Sequence, residues 1–107
     1  EQKEGKYEAA LSILNRMIVD GGGDVQSTAP LYVARAGVEN DMKHTDLALM
    51  DLEEAIKLNP SLMEAYLMRG QIYLSQKKKD LAKRDFEKAV SLGIPQADVR
   101  DLLKQCK

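Results

Sequence analysis

A chain of 107 residues, 44% of them hydrophobic, is long enough to build one modest core. Sixteen basic residues against seventeen acidic ones leave a net charge of −1, which argues against bulk nucleic-acid binding. No apolar run approaches the ~18 residues that a membrane span needs, and the single cysteine, Cys106, excludes an internal disulfide.

Taken in order, residues 6–19 carry an apolar stripe of Tyr7, Ala10, Leu11, Leu14, Met17 and Ile18, the spacing of an amphipathic helix. Gly21-Gly22-Gly23 with Asp24 stops that helix and reads as a flexible link. A phosphate loop would need Gly-x-x-x-x-Gly-Lys-Ser/Thr at a helix start, and that pattern is absent. Ser27 or Thr28 is expected to cap a second helix, with Pro30 in its first turn and an end near Met42. Lys43-His44-Thr45 turns the chain, 45–58 returns it, and Asn59-Pro60-Ser61 closes the hairpin because proline cannot continue a helix. Helices at 62–76 and 79–92 repeat the arrangement around Gln76-Lys77-Lys78-Lys79. Gly93 suits a left-handed helix stop, and Pro95 opens a last helix near 96–106. That helix is apolar on Val99, Leu102, Leu103 and Cys106 alone, as expected of a cap on an open end. Each helix is short enough to be marginal by itself, so the set must form by stacking.

The two hairpins are copies. Shifting the chain by 34 places Tyr32 over Tyr66, Arg35 over Arg69, Lys43 over Lys77, Asp46 over Asp80 and Leu47 over Leu81. Ala48, Asp51, Glu53, Ala55 and Leu58 likewise meet Ala82, Asp85, Glu87, Ala89 and Leu92. Ala36/Gly70, Val38/Ile72, Leu52/Phe86 and Ile56/Val90 are conservative pairs between them. A 34-residue period with Tyr66-x-x-Arg69-Gly70-x-x-Tyr73, then Ala82, Phe86 and Ala89, resembles the tetratricopeptide repeat. The first copy, Tyr32-x-x-Arg35-Ala36 with Ala48, Leu52, Ala55 and Pro60, matches it too. It departs at Glu39, where an aromatic is usual, and Lys43 and Lys77 replace the turn glycine. Gly5-Lys6-Tyr7-x-x-Ala10-x-x-x-Leu14 looks like the second half of a preceding repeat. The resemblance implies an all-α fold, a right-handed α-solenoid of hairpins in one domain: a half-repeat and link (1–24), repeats at 29–62 and 63–96, and a capping helix (96–107).

Few residues suggest chemistry. Cys106 lies on an apolar stripe and reads as a buried thiol, and His44 sits in a turn without a second His or Cys at ligand spacing. No nucleophile–base pair is spaced for catalysis. Lys77, Lys78 and Lys79, with Lys83 and Arg84, form a solvated hairpin tip, and the five methionines read as core filler. Arg35 and Arg69 stand in mid-stripe, where a bare charge is expensive to bury. Asp51 and Asp85 recur sixteen residues on, in the returning helix, and the reading is two structural Arg–Asp pairs.

The resemblance also implies that the first helix of each hairpin lines a concave partner-binding face. Here that face is Val33, Ala34, Gly37 and Asn40, then Leu67, Met68, Gln71 and Leu74. Lacking Lys and Arg, it does not offer the carboxylate grip of some such grooves. Without a first helix to cover the half-repeat, Tyr7, Leu11, Leu14 and Ile18 are expected to form an exposed N-terminal edge open to homo-oligomers. The expected function is a non-catalytic protein-interaction module or scaffold, soluble, without cofactor or metal, taking a protein or peptide. Self-association, or service as an accessory segment of a larger enzyme, is the alternative. Beginning at Glu1 without a methionine or signal pattern, the chain is expected to be processed or part of a longer protein; its compartment stays open, the cytoplasm being favoured over an exported or periplasmic place.

Overall fold

The computed structural model describes residues 2–21 and 25–107, with side chains from 5–21 and 26–107. Six α-helices account for the secondary structure of the described residues, with no strand: α1 (Gln2–Asp20), α2 (Val25–Asp41), α3 (Thr45–Leu58), α4 (Met63–Ser75), α5 (Lys79–Leu92) and α6 (Gln96–Gln105). They group into two compact units, Glu1–Pro60 and Ser61–Lys107. The all-α class read from the sequence is therefore the class of the fold. Gly22, Gly23 and Asp24 of the expected link lie outside the described residues.

In the N-terminal unit α2 packs on α3 and, to a lesser extent, on α1. The Thr28 hydroxyl donates to the Gly21 carbonyl at 2.9 Å, which fastens the start of α2 to the end of α1. At the other end Tyr7 borders a cleft with Asp41 to His44, so α1 and α2 run antiparallel. Two expectations change here. Helix α2 starts at Val25, so Ser27 and Thr28 lie inside it and Pro30 falls beyond its first turn. The Thr28 hydroxyl serves a tertiary bond in place of a cap. Ile18 is buried and Tyr7, Leu11 and Leu14 are half-buried, in a helix that packs on α2. The large apolar side chains that α1 exposes are Ile13 (61%), Met17 (47%) and Val19 (78%).

The two hairpins are built with the same bonds. In the α2–α3 turn the His44 N–H donates to Glu39 O at 2.8 Å and Lys43 N–H to Asn40 O at 3.0 Å. In the α4–α5 turn Lys78 N–H donates to Tyr73 O at 2.9 Å and Lys77 N–H to Leu74 O at 3.0 Å. Lys43 and Lys77 hold the turns with φ of 69° and 64°, the left-handed conformation that glycine adopts most cheaply. Helix α5 ends on Gly93 at φ 130°, with Ile94 N–H bonded to Ala89 O at 3.0 Å.

Between the helices, size is matched pair by pair. A Cβ on Gly70 would stand 2.7 Å from Phe86 Cε1 and 3.2 Å from Asp85 Cβ, so only glycine admits the phenyl ring there. At the same register in the N-terminal unit are Ala36 and Leu52, both fully buried. One methyl more on α2 accompanies a slimmer side chain on α3. Phe86 anchors the C-terminal core with Ala82, Val99 and Cys106, the last two brought in by α6.

Gly70→Ala should destabilise the protein by about 1–3 kcal/mol through overpacking. Adding Phe86→Leu recreates the Ala–Leu pair of the other repeat, and urea unfolding should find the double variant less destabilised than the two singles summed. Strict additivity would mean that the positions do not share one space.

Candidate functional site

Each hairpin carries one arginine on its first helix, and each arginine is turned inward. Arg35 Nε donates to Asp51 Oδ2 at 2.8 Å and Nη2 to Oδ1 at 2.6 Å, the two-pronged geometry that suits guanidinium and carboxylate. Arg69 Nε and Nη2 reach Asp85 Oδ2 and Oδ1, each at 2.9 Å. Both aspartates are buried. Hydrogen bonding to Asp51 and to Asp85 raises the two guanidinium groups above their ordinary value, against the pull of burial. Each guanidinium also lies over the tyrosine three residues before it: Arg35 is 5.1 Å from the Tyr32 centroid, and Arg69 is 5.6 Å from Tyr66. The structure thus joins Arg35 to Asp51 and Arg69 to Asp85.

Beyond these pairs the hairpins differ. Arg35 Nη1 donates to Asn15 Oδ1 at 2.9 Å, which brings α1 into the network. Arg69 instead meets a second ring, Tyr73, at 5.8 Å. The residue at that register in the N-terminal unit is Glu39, buried, with Oε1 shielded and lacking a hydrogen-bond partner. Burial first, and the neighbouring Asp51 second, push its carboxyl up to about 8, while Arg35 pulls the other way. Sequence reasoning marked Glu39 only as an odd residue in the pattern and did not reach Asn15. An acid at a mid-helix position filled by Tyr73 in the other copy was the available signal.

The proposed partner face divides unevenly. Val33 is buried, and Leu67 and Leu74 lean on the core of Ala82, Phe86, Val99 and Cys106. What each unit leaves accessible is Ala34, Gly37 and Asn40 on α2, and Met68 and Gln71 on α4, with Ala34 and Gln71 exposed. Three shallow clefts in the N-terminal unit measure about 300 Å³ each, the lower bound for small-molecule sites. Among the described residues no group of three or more His, Cys, Asp or Glu is placed to hold a metal ion. None of the described helices is long and apolar enough to cross a membrane. Cys106 is buried, and burial pushes its thiol up, against Lys79 and Lys83. His44 is exposed in its turn.

Paired helical hairpins with small residues at the crossing and a repeated buried ion pair define a helical-repeat protein. The profile described as "Tetratricopeptide repeat" matches residues 29–62 and 64–92, more than half of the chain, and the protein belongs to that family. Its members are generally protein-interaction modules and typically non-catalytic. Among curated proteins the chain is similar to DnaJ homolog subfamily C member 7 of Homo sapiens, 31% identical over 76 residues. The Mus musculus protein of that name is 30% identical over 76 residues. Each match covers 71% of this chain and 15% of the relative, so the chain spans only a small part of the relatives' length.

A double-mutant cycle tests the second pair. Arg69→Met and Asp85→Asn should each destabilise, and the double variant should be less harmful than their sum by about 0.5–3 kcal/mol in denaturant unfolding.

Proposed function

We propose that the chain is a non-catalytic interaction module within a larger multi-repeat protein, its repeats, half-repeat and capping helix forming one domain. It takes an extended or helical segment of a partner protein along the first helix of each repeat. One observation carries this reading. Arg35 and Arg69 are the only cations of α2 and α4, and both are bonded to aspartates on the returning helix. Ala34, Gly37, Asn40, Met68 and Gln71 therefore form surfaces without positive charge, small and apolar with two amides. Such surfaces fit uncharged or apolar side chains with backbone amides to satisfy, and they do not fit a terminal carboxylate.

A second reading, self-association, draws on the exposed Ile13, Met17 and Val19 of α1. One set of measurements separates the two. Peptides selected from a displayed library are titrated against the wild type, Ala34→Glu, Gln71→Glu and Ile13→Glu, with sedimentation of each protein over a concentration series. The interaction reading expects peptide binding to fall about tenfold or more, ~1.4 kcal/mol, in Ala34→Glu and Gln71→Glu with unchanged thermal stability. Binding that ignores both substitutions, or that requires a free C-terminal carboxylate, would overturn it. A wild-type dimer dissociated by Ile13→Glu would support self-association.

A further inference from the structure

The strongest departure between the two hairpins is one residue. Where the C-terminal unit has Tyr73, the N-terminal unit has Glu39, 8% exposed, beside the Arg35–Asp51 pair. The surroundings leave this carboxyl little charge compensation. Asp51 faces it from α3, and both Asp51 oxygens already accept from Arg35. Arg35 Nη1 donates to Asn15 of α1, so each guanidinium nitrogen already makes one bond. One cation thus serves two buried carboxyl groups, and Glu39 Oε1 is shielded without a donor. A second buried carboxylate there would be both unsatisfied and repelled. A protonated Glu39 has a hydroxyl to donate to Asp51, and the unpartnered oxygen is then explained.

We propose that a proton held between Glu39 and Asp51 is a structural part of the N-terminal unit, and that its release loosens the α2–α3 hairpin while the C-terminal unit, with Tyr73 at the same register, does not respond. The geometry makes the response local. Facing Glu39 are Arg35 on its own helix, with the Tyr32 ring under that guanidinium, Asp51 on α3, and through Arg35 the uncharged Asn15 of α1. In the turn, the His44 backbone N–H donates to the Glu39 carbonyl, while the imidazole is exposed.

The direction of the pH effect follows from burial, the larger cause, and then from Asp51, which carry Glu39 from an ordinary 4.5 to about 8. The folded unit keeps a proton that the unfolded chain gives up. The contribution is fully present below the unfolded value, fades as pH rises toward the folded value and is lost above it. The N-terminal unit is therefore weakest in mild alkali.

The test uses the full chain and reads each unit separately. Carbon-detected NMR of the Glu39 side chain should give a titration midpoint well above the ordinary carboxyl range. Amide exchange, corrected for its intrinsic pH dependence, should show protection in α2 and α3 falling at least tenfold between about pH 6 and about pH 9, with α4 and α5 steady. Glu39→Gln supplies a permanent donor and should abolish the fall. Glu39→Tyr copies the other repeat, and it keeps the test alive should the glutamine variant fold poorly. His44→Gln should retain the fall, which separates Glu39 from the turn imidazole. A Glu39 midpoint near the ordinary value would overturn the proposal, as would equal pH responses in the two units or a wild type indistinguishable from Glu39→Gln.

Discussion

Everything in each hairpin is arranged around an arginine that must be brought out of water. Its two short bonds to aspartate and the tyrosine face beneath it make that possible, and they also set which residues of the paired helices can meet. A partly buried ion pair is a weak source of net stability, because desolvation offsets much of the attraction. Its stronger effect is on register: sliding one helix along the other would strand a guanidinium or a carboxylate without its partner. Held at that register, Gly70 lies against Phe86, while Ala36 and Leu52 occupy the equivalent places in the other copy. Electrostatics fixes the alignment, and packing then fills it.

The same inward turn of the arginines shapes what is left outside. Helices α2 and α4 each have one cation, and both are withdrawn to the returning helix. The surfaces beside them are therefore small, apolar and amide-bearing, which is the basis for reading the module as one that takes uncharged segments. In the N-terminal unit the arginine has an extra acid to serve. Glu39 and Asp51 compete for one guanidinium, a tension that Tyr73 spares the C-terminal unit.

Much of this was legible in the sequence because it is periodic. The offset of 34 aligned the ten identities, and α3 and α5 fall at 45–58 and 79–92, where turn residues and proline had placed them. Capping chemistry was less decisive. Thr28 is a good cap by type, yet its hydroxyl is drawn to the Gly21 carbonyl of the preceding helix, and α2 begins earlier. The stripe of Tyr7, Leu11, Leu14 and Ile18 was correctly one face of a helix, but spacing says nothing about what covers a face. Here Ile18 is buried and the other three are half-buried, while Ile13, Met17 and Val19 are the large apolar side chains exposed. The expected partner face shows the same limit, since Leu67 and Leu74 share their helix side with Met68 and Gln71 yet lean on the core. Glu39 was visible as an anomaly. Its consequence depends on how many donors surround it in space, which no spacing rule encodes.

The direct test of the central claim is the exchange behaviour of the arginine side chains themselves. Nitrogen-detected NMR at neutral pH resolves the Hε protons of Arg35 and Arg69 from those of Arg16, Arg84 and Arg100. If the two pairs set the register of their hairpins, both Hε signals should exchange slowly, and each should show through-space contact to its own aspartate, Asp51 or Asp85. Hε protons that exchange as fast as those of the exposed arginines, with no contact to either aspartate, would contradict the account.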